Sequence, residues 1–460
     1  MSSRDTQLMD LSWELLGAVI DQLHDRDSRR SAFRASKVLA RAVLQHTPAV
    51  YLIFPTEEQY SKVTVIKKPL APFLTDALRS RQRPLRLELE ADERLAEAAC
   101  GRVLAARQVF DATMGAVELC PAVHHLTINA WGNSNAFNVW KPMHTTALAH
   151  QFPSLTSLTL GPGLTLTTSQ LHDLVCHQTL VQRLQHLDIN RAHIVDSSIP
   201  GLFVGNRLRG LVVDEEDWTC LPYLAPLAPF LTQLTLKGLK TGFNPASLAA
   251  AVVQLTCLRS LRLLPTETVV TDLRLLLTSL PSLNTLDLPR VAVVGQEQVD
   301  ALLAATQITR LRLWDISGMT ASRASAPCSW QQLCFKDELE GSFVFKKGIG
   351  WSSAAYLPLH SLTHPLHIWR LDLNGDTDEQ LVAAAERNLC VSSRSGVVVE
   401  SMVVSGTWVD RLALTRNRSL MQLLGPCVKS VRIKLSDKAR PAATWTTLLA
   451  VFPRATLQSV

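Results

Sequence analysis

The stretch LTSLTL at residues 155–160 sets leucines at its first, fourth and sixth places. In the terminal LTL, alternation sends the leucines to one side of a short strand and the threonine to the other. One such strand cannot bury its own leucines, and the chain supplies neighbours that share the pattern. They are LQHLDI (184–189), LRGLVV (208–213), LTQLTL (231–236), LRSLRL (258–263), LNTLDL (283–288) and ITRLRL (308–313). Weaker copies, VHHLTI (123–128), IWRLDL (368–373), VESMVV (399–404) and VKSVRI (428–433), bring the count to eleven. The second apolar place steps from Leu126 to Leu158, Leu187, Leu211, Leu234, Leu261, Leu286 and Leu311, at intervals of 32, 29, 24, 23, 27, 25 and 25 residues. Between copies lie segments with helical apolar spacing, among them TTSQLHDLVCHQTLVQRL (167–184), NPASLAAAVVQL (244–255), TDLRLLLTSL (271–280) and GQEQVDALLAAT (295–306). Each unit therefore reads as a strand followed by a helix, and stacking the units predicts an α/β chain with a parallel sheet.

This pattern resembles the leucine-rich repeats, over about residues 85–460. The resemblance implies a horseshoe solenoid with parallel strands on the concave face and helices on the convex face. The repeat array is expected over 121–460, with residues 55–120 as linker, cap and first irregular repeat. Within the latter, PLRLELEADERLAEAACGRVLAARQVF (84–110) reads as a strand then a helix. The rhythm fails between Trp314 and Pro365 except for a doubtful copy, WQQLCF (330–335), which predicts a loop insertion over 315–365.

Residues between and beside the ladder leucines project from the concave sheet and form a candidate ligand surface. Arg262, Asp287, Arg310, Arg312, Trp314, Arg370 and Asp372 are the candidate binding residues, Arg and Trp being frequent anchors of protein interfaces. Their charges are mixed, which points to a protein ligand rather than a phosphate backbone. The alternative is that they are ordinary solvated strand residues.

Bulk composition narrows the field. Hydrophobic residues make up 47% and charged residues 19%, too apolar for disorder, and no apolar run is long enough for a membrane helix. The formal charge of +6 is small and spread out, so neither nucleic acid nor membrane is an expected partner. Nine cysteines without CxxC pairs, and a start MSSRDTQLMD with no apolar signal core, lead us to expect a cytoplasmic or nuclear chain that is not secreted. No phosphate-binding loop, zinc-protease or nucleophile-elbow motif is present, so no enzyme activity, metal or cofactor is expected. Two groups look metal-like: His172, Cys176 and His177, and His360, His364 and His367. Pro365 interrupts the second and no further ligand flanks the first, so neither is taken as a site.

Ahead of the ladder, LSWELLGAVIDQL (11–23) carries Leu11, Leu15, Leu16, Val19, Ile20 and Leu23 along one helical stripe, with Ser12 at the N-cap place. A second helical pattern runs through Ala32, Phe33, Ala35, Leu39, Ala40 and Val43. Two short amphipathic helices before leucine-rich repeats resemble the F-box. Leu11, Glu14, Leu15, Leu16, Val19, Ile20, Leu23, Asp25, Asp27, Ser36 and Lys37 fall on its outline. Ser12 stands where that family usually has proline, and Leu39 lies where a tryptophan is common. The resemblance implies an all-helical module at 8–54 in which Leu11, Glu14, Leu15, Leu16, Ile20 and Leu23 dock on a Skp-type adaptor of a cullin complex. The chain would then be the substrate-recognition subunit of a Skp/cullin/F-box ubiquitin ligase, holding an unknown protein substrate on its repeats. Two rivals stay open. The helices only cap the first repeat, as open solenoids require, or the chain is a cytoskeletal or ciliary interaction scaffold.

Overall fold

A computed structural model of the chain describes residues 13–22, 28, 31–32, 36–54, 72–92, 119–131, 138–189, 192–195, 202–214, 223–239, 248, 250, 252–265, 269–270, 273–317, 328–335, 357, 359–372, 397–405, 428–434 and 456–459. It divides into two compact units, Met1–Leu231 and Thr232–Val460. Among the described residues, no helix is long and apolar enough to cross a membrane.

The first unit opens with helices α1 (Trp13–Gln22) and α2 (Lys37–His46), strand β1 (Ala49–Phe54) and helix α3 (Pro72–Arg79). Next come β2 (Leu85–Asp92), β3 (Val123–Trp131), β4 (Asn138–Val139), α4 (Pro142–Gln151), β5 (Ser157–Leu160), β6 (Leu164–Thr167) and α5 (Thr168–Val175). It ends with β7 (His186–Asp188), β8 (His193–Val195) and β9 (Gly210–Asp214). Strands β1-β2-β3-β5-β7-β9 pair in that order, all parallel. The ladder leucines stack in register, Leu126 on Leu158, Leu158 on Leu187 and Leu187 on Leu211, each at most 1% exposed. Burying each stabilises the stack by about 2 kcal/mol relative to exposure. In-register stacking also aligns the descending segments, and a second parallel sheet, β4-β6-β8, forms from them.

The second unit repeats the scheme with β10 (Gln233–Leu239), β11 (Ser260–Pro265), β12 (Val269–Val270), α6 (Leu273–Ser279), β13 (Thr285–Val294), α7 (Gln296–Ala304) and β14 (Arg310–Ser317). Then come β15 (Gln332–Phe335), β16 (Leu366–Asp372), β17 (Val397–Ser405), β18 (Val428–Lys434) and β19 (Thr456–Ser459). The parallel order is β10-β11-β13-β14-β15-β16-β17-β18-β19, with β12 also on β13. Leu234, Leu261, Leu286 and Leu311 stack in register, and Leu333 continues the row. WQQLCF is thus a ladder strand inside the expected 315–365 insertion, with Trp330 in the first apolar place, Leu333 in the second and all of Trp330, Leu333 and Phe335 at most 1% exposed. Residues 318–327 and 336–356 of that span lie outside the described residues.

Several of the repeat intervals hold a helix after the strand. Helices α4 and α5 occupy the 32- and 29-residue intervals, and α6 and α7 the two of 25 residues. The described residues of the 23-residue interval hold a 3-10 turn, Ala225–Leu227. The expected long helix over 167–184 is α5 alone. It starts in a capping box, with Thr167 Oγ1 accepting from Gln170 N–H at 3.2 Å and Gln170 Oε1 accepting from Thr167 N–H at 2.8 Å.

Helix C-termini leave carbonyls without partners, and here the next segment along the chain supplies donors. Arg183 donates to Ala149 O at 3.2 Å and to Pro153 O, closing the end of α4. Asn206, fully buried, donates to Val175 O at the end of α5 at 2.8 Å and accepts from Leu208 N–H at 2.9 Å. Gln307 donates to Leu277 O and Leu280 O at the end of α6, at 3.2 and 3.4 Å. Arg81 does the same for α2.

Candidate functional site: the open strand face and the N-terminal helices

On the ladder strands whose side chains are described, those opposite the buried leucines form an open face. In the second unit, register sets Thr235, Arg262, Asp287, Arg312, Cys334 and His367 in one row across β10, β11, β13, β14, β15 and β16. Asp287 Oδ2 lies 3.3 Å from Arg262 Nε and accepts from Arg312 Nη1 at 3.1 Å. One carboxylate therefore holds a guanidinium on each flank, strands being about 4.8 Å apart. The acid is the deepest of the three, 14% exposed against 31% and 24% for Arg262 and Arg312. Burial lowers the Arg262 pKa, Arg312 adds to that, and Asp287 opposes it. Arg310 lies two places earlier on β14, on the same face, and is exposed.

Of the candidate ligand residues, the structure thus brings Arg262, Asp287, Arg310 and Arg312 together. Trp314, on β14, and Arg370 and Asp372, on β16, occupy ladder strands of the same sheet, with β15 between them. Cys334, the register neighbour of Arg312, is hard to place from sequence because its repeat carries Trp330 where the clearer copies have leucine or isoleucine.

In the first unit the row one place before the second ladder leucine holds Arg86, His125, Ser157, His186 and Gly210. Burial lowers the pKa of both imidazoles. His124 and Arg86 add to this at His125, and His125 and Arg209 at His186. A Cβ on Gly210 would lie 2.4 Å from His186 Nδ1, so the ring occupies the space a larger residue would fill. The repeated histidine before the second leucine, in VHHLTI and LQHLDI, is the sequence signal for this pair.

Folded-state pKa values below the ordinary 6.5 mean that the unfolded chain takes up protons first as the pH falls. These groups leave stability intact above 6.5 and withdraw it as the pH drops from there through their folded values. Melting monitored between about pH 7.5 and about pH 5 should show that loss, and His125→Gln with His186→Gln should reduce it. An identical acid loss in the double variant would count against the assignment.

The metal-like groups are engaged separately. Cys176 Sγ donates to Leu202 O and Val204 O at 3.6 and 3.5 Å, and His177 Nδ1 sits 3.0 Å from Thr179 Oγ1. His364 and His367 are exposed. Among the described residues, no three His, Cys, Asp or Glu side chains converge on a possible ion.

The second candidate surface is the helical pair. On α1, Leu16 and Ile20 are 2% and 1% exposed and pack on Ala42 and Val43 of α2, with Leu39 and Ala32 beside them. Glu14 and Leu15 lie on the same helix; Leu11, Ser12 and Leu23 lie outside the described residues. The second helical pattern is interrupted at Ser36. That residue is extended at φ −162° and ψ 160°, and its Oγ accepts from Leu39 N–H at 3.1 Å, so it N-caps α2. What remains open on the pair is apolar in part, with Val19 of α1 39% exposed and Val38 of α2 36% exposed.

The pair is fastened to the segment that leads into β2. Arg81 donates to Leu44 O of α2, to Arg83 O at 2.8 Å and to Pro84 O at 3.2 Å, while Arg83 pairs with Asp21 of α1 at 3.2 Å. No sequence signal marks this clasp, since SRQRPLRL reads simply as a basic approach to a strand. No protein-family model matches the chain, and no curated protein matches it.

Proposed function

We propose that this chain is a non-catalytic recognition protein, the substrate-binding subunit of a Skp/cullin/F-box-type ubiquitin ligase, holding a protein on its repeat strands. The observation that carries the reading is the N-terminal helical pair. Its stripe through Leu16 and Ile20 is satisfied within the chain, and it still leaves Val19 and Val38 exposed. Exposed apolar side chains on a helical pair fastened to the segment before β2 suit docking against a helix bundle of an adaptor. The repeats, a leucine-rich-repeat solenoid in this reading, offer the ligand face. Catalysis needs no residue of this chain. Fastening the substrate beside a charged conjugating enzyme raises effective concentration and makes transfer behave as an intramolecular event. Such a subunit works in the cytoplasm or nucleus.

The test is copurification of the full chain with a coexpressed Skp-type adaptor. Leu16 is a poor probe because an acid there would break the α1–α2 core. Val19→Asp with Val38→Asp should abolish capture and leave thermal melting unchanged. A second reading, an interaction scaffold whose helices only cap the ladder, is favoured by the Arg81 clasp. A folded wild-type chain that captures no adaptor would select it.

A further inference from the structure

Taking the open strand face as the ligand surface, we infer that its second-unit part, over β10–β14, takes an acidic segment of a protein, with Asp or Glu carboxylates seated on Arg262, Arg310 and Arg312. Charge on the face is the first argument. Among the described side chains of this face, Lys237, Arg262, Arg310 and Arg312 outnumber the single acid Asp287, four cations less one anion, or +3. The equivalent described positions of the first unit carry Arg86 against Glu88, Asp188 and Asp214, or −2. The basic character thus belongs to this patch rather than to a uniformly basic protein.

Geometry is the second argument. Asp287 sits below the two guanidiniums it holds and is less exposed than either, so it orients them without cancelling their sum. Arg262 and Arg312 lie two strands apart, roughly 9.6 Å by strand spacing. Alternate side chains of an extended peptide are roughly 6.8 Å apart, so carboxylates of one short segment can reach both as well as Arg310. Arginine also matches carboxylate geometry with paired parallel donors, which favours a fixed seat over diffuse attraction.

The probe is fluorescein-labelled decaglutamate, read by anisotropy against the full chain at about 150 mM salt, with decalysine as the opposite-charge arm. Decaglutamate should bind at least about tenfold more tightly than decalysine. Arg310→Ala with Arg312→Ala should weaken it at least about tenfold, and Arg310→Ala alone, at an exposed position, should weaken it with the fold untouched. Arg207→Ala with Arg274→Ala removes the same charge off the strands and should change affinity by less than about twofold. The inference fails if decaglutamate does not bind, if decalysine binds as well, or if the two double variants behave alike. Adaptor capture measured on the same preparation separates that failure from failure of the ligase reading.

Discussion

Gly163→Ala is expected to cost about 3 to 6 kcal/mol of stability around β3 and β6, the sum of a left-handed backbone strain and a backbone overlap. Gly163 adopts φ +79°, and a Cβ there would lie 1.5 Å from Ala130 O. That oxygen belongs to the end of β3 and cannot swing away as a side chain would. The turn Gly161-Pro162-Gly163 is already fixed on both sides, because Gly161 N–H donates to Ile128 O at 2.7 Å and Ala130 N–H donates to Pro162 O at 3.0 Å. An alanine would have to push the turn off the preceding strand and break those bonds. Gly205→Ala is the matched control, with the same φ of +79° and nothing within 4 Å of its Cβ. It should cost about 1 to 2 kcal/mol. Amide hydrogen exchange read on peptides from β3 and β6 should fall sharply in protection for the first variant and little for the second. Equal losses would show that φ alone, and not the close approach, matters at Gly163. Because Asn129 on β3 donates to Glu88 at 3.0 Å beside this turn, the open face of the first unit should loosen with it.

The ladder was the part of this fold that sequence could reveal, and the reason is physical. A strand buried on one face must alternate, and stacking in register forces the same place in each copy to be apolar. Leu126 through Leu311 therefore announce both the strands and their order. Trp330 obeys the same constraint, since a large apolar side chain fills the first place as well as leucine does, but it hides from a leucine-based reading. The second sheet was not legible. Its strand LTLT at Leu164–Thr167 ends on the α5 capping residue, and its partners Asn138–Val139 and His193–Val195 are too short and too unlike it to form a recurring pattern. The Arg262, Asp287 and Arg312 cluster was visible as residues on adjoining copies, whereas the deeper placing of the acid depends on side-chain geometry. The devices that close the helix ends were invisible for a further reason. Arg81, Arg183, Asn206 and Gln307 solve one problem with three residue types, because any donor that reaches a carbonyl will serve.

Among those four, Arg81 joins the two candidate surfaces, and its removal should have the second largest effect. Its side chain reaches across from the approach to β2 to a carbonyl in the last turn of α2, and the residue is only 4% exposed. Burial, with Arg83 nearby, brings its pKa down to about 10, so it stays charged at neutral pH and each bond it makes is charge-assisted. Arg81→Ala leaves Leu44 O buried without this donor and should cost about 3 to 5 kcal/mol. Arg81→Lys should recover less than half, because one ammonium cannot span the carbonyls of Leu44, Arg83 and Pro84 that the planar guanidinium bridges. Hydrogen exchange should show the loss in α1, α2 and β1, with β5 and β7 protected as before, because repeat stability is built from nearest-neighbour contacts. Protection of α2 that survives Arg81→Ala would show that the Leu16, Ile20, Ala42 and Val43 core holds the helices without the clasp. The same variant bears on function. If the helices dock an adaptor in a fixed pose, capture should weaken along with α2 protection. If they serve only as a cap, the first strands β1 and β2 should fray and the open face of the second unit should bind as before.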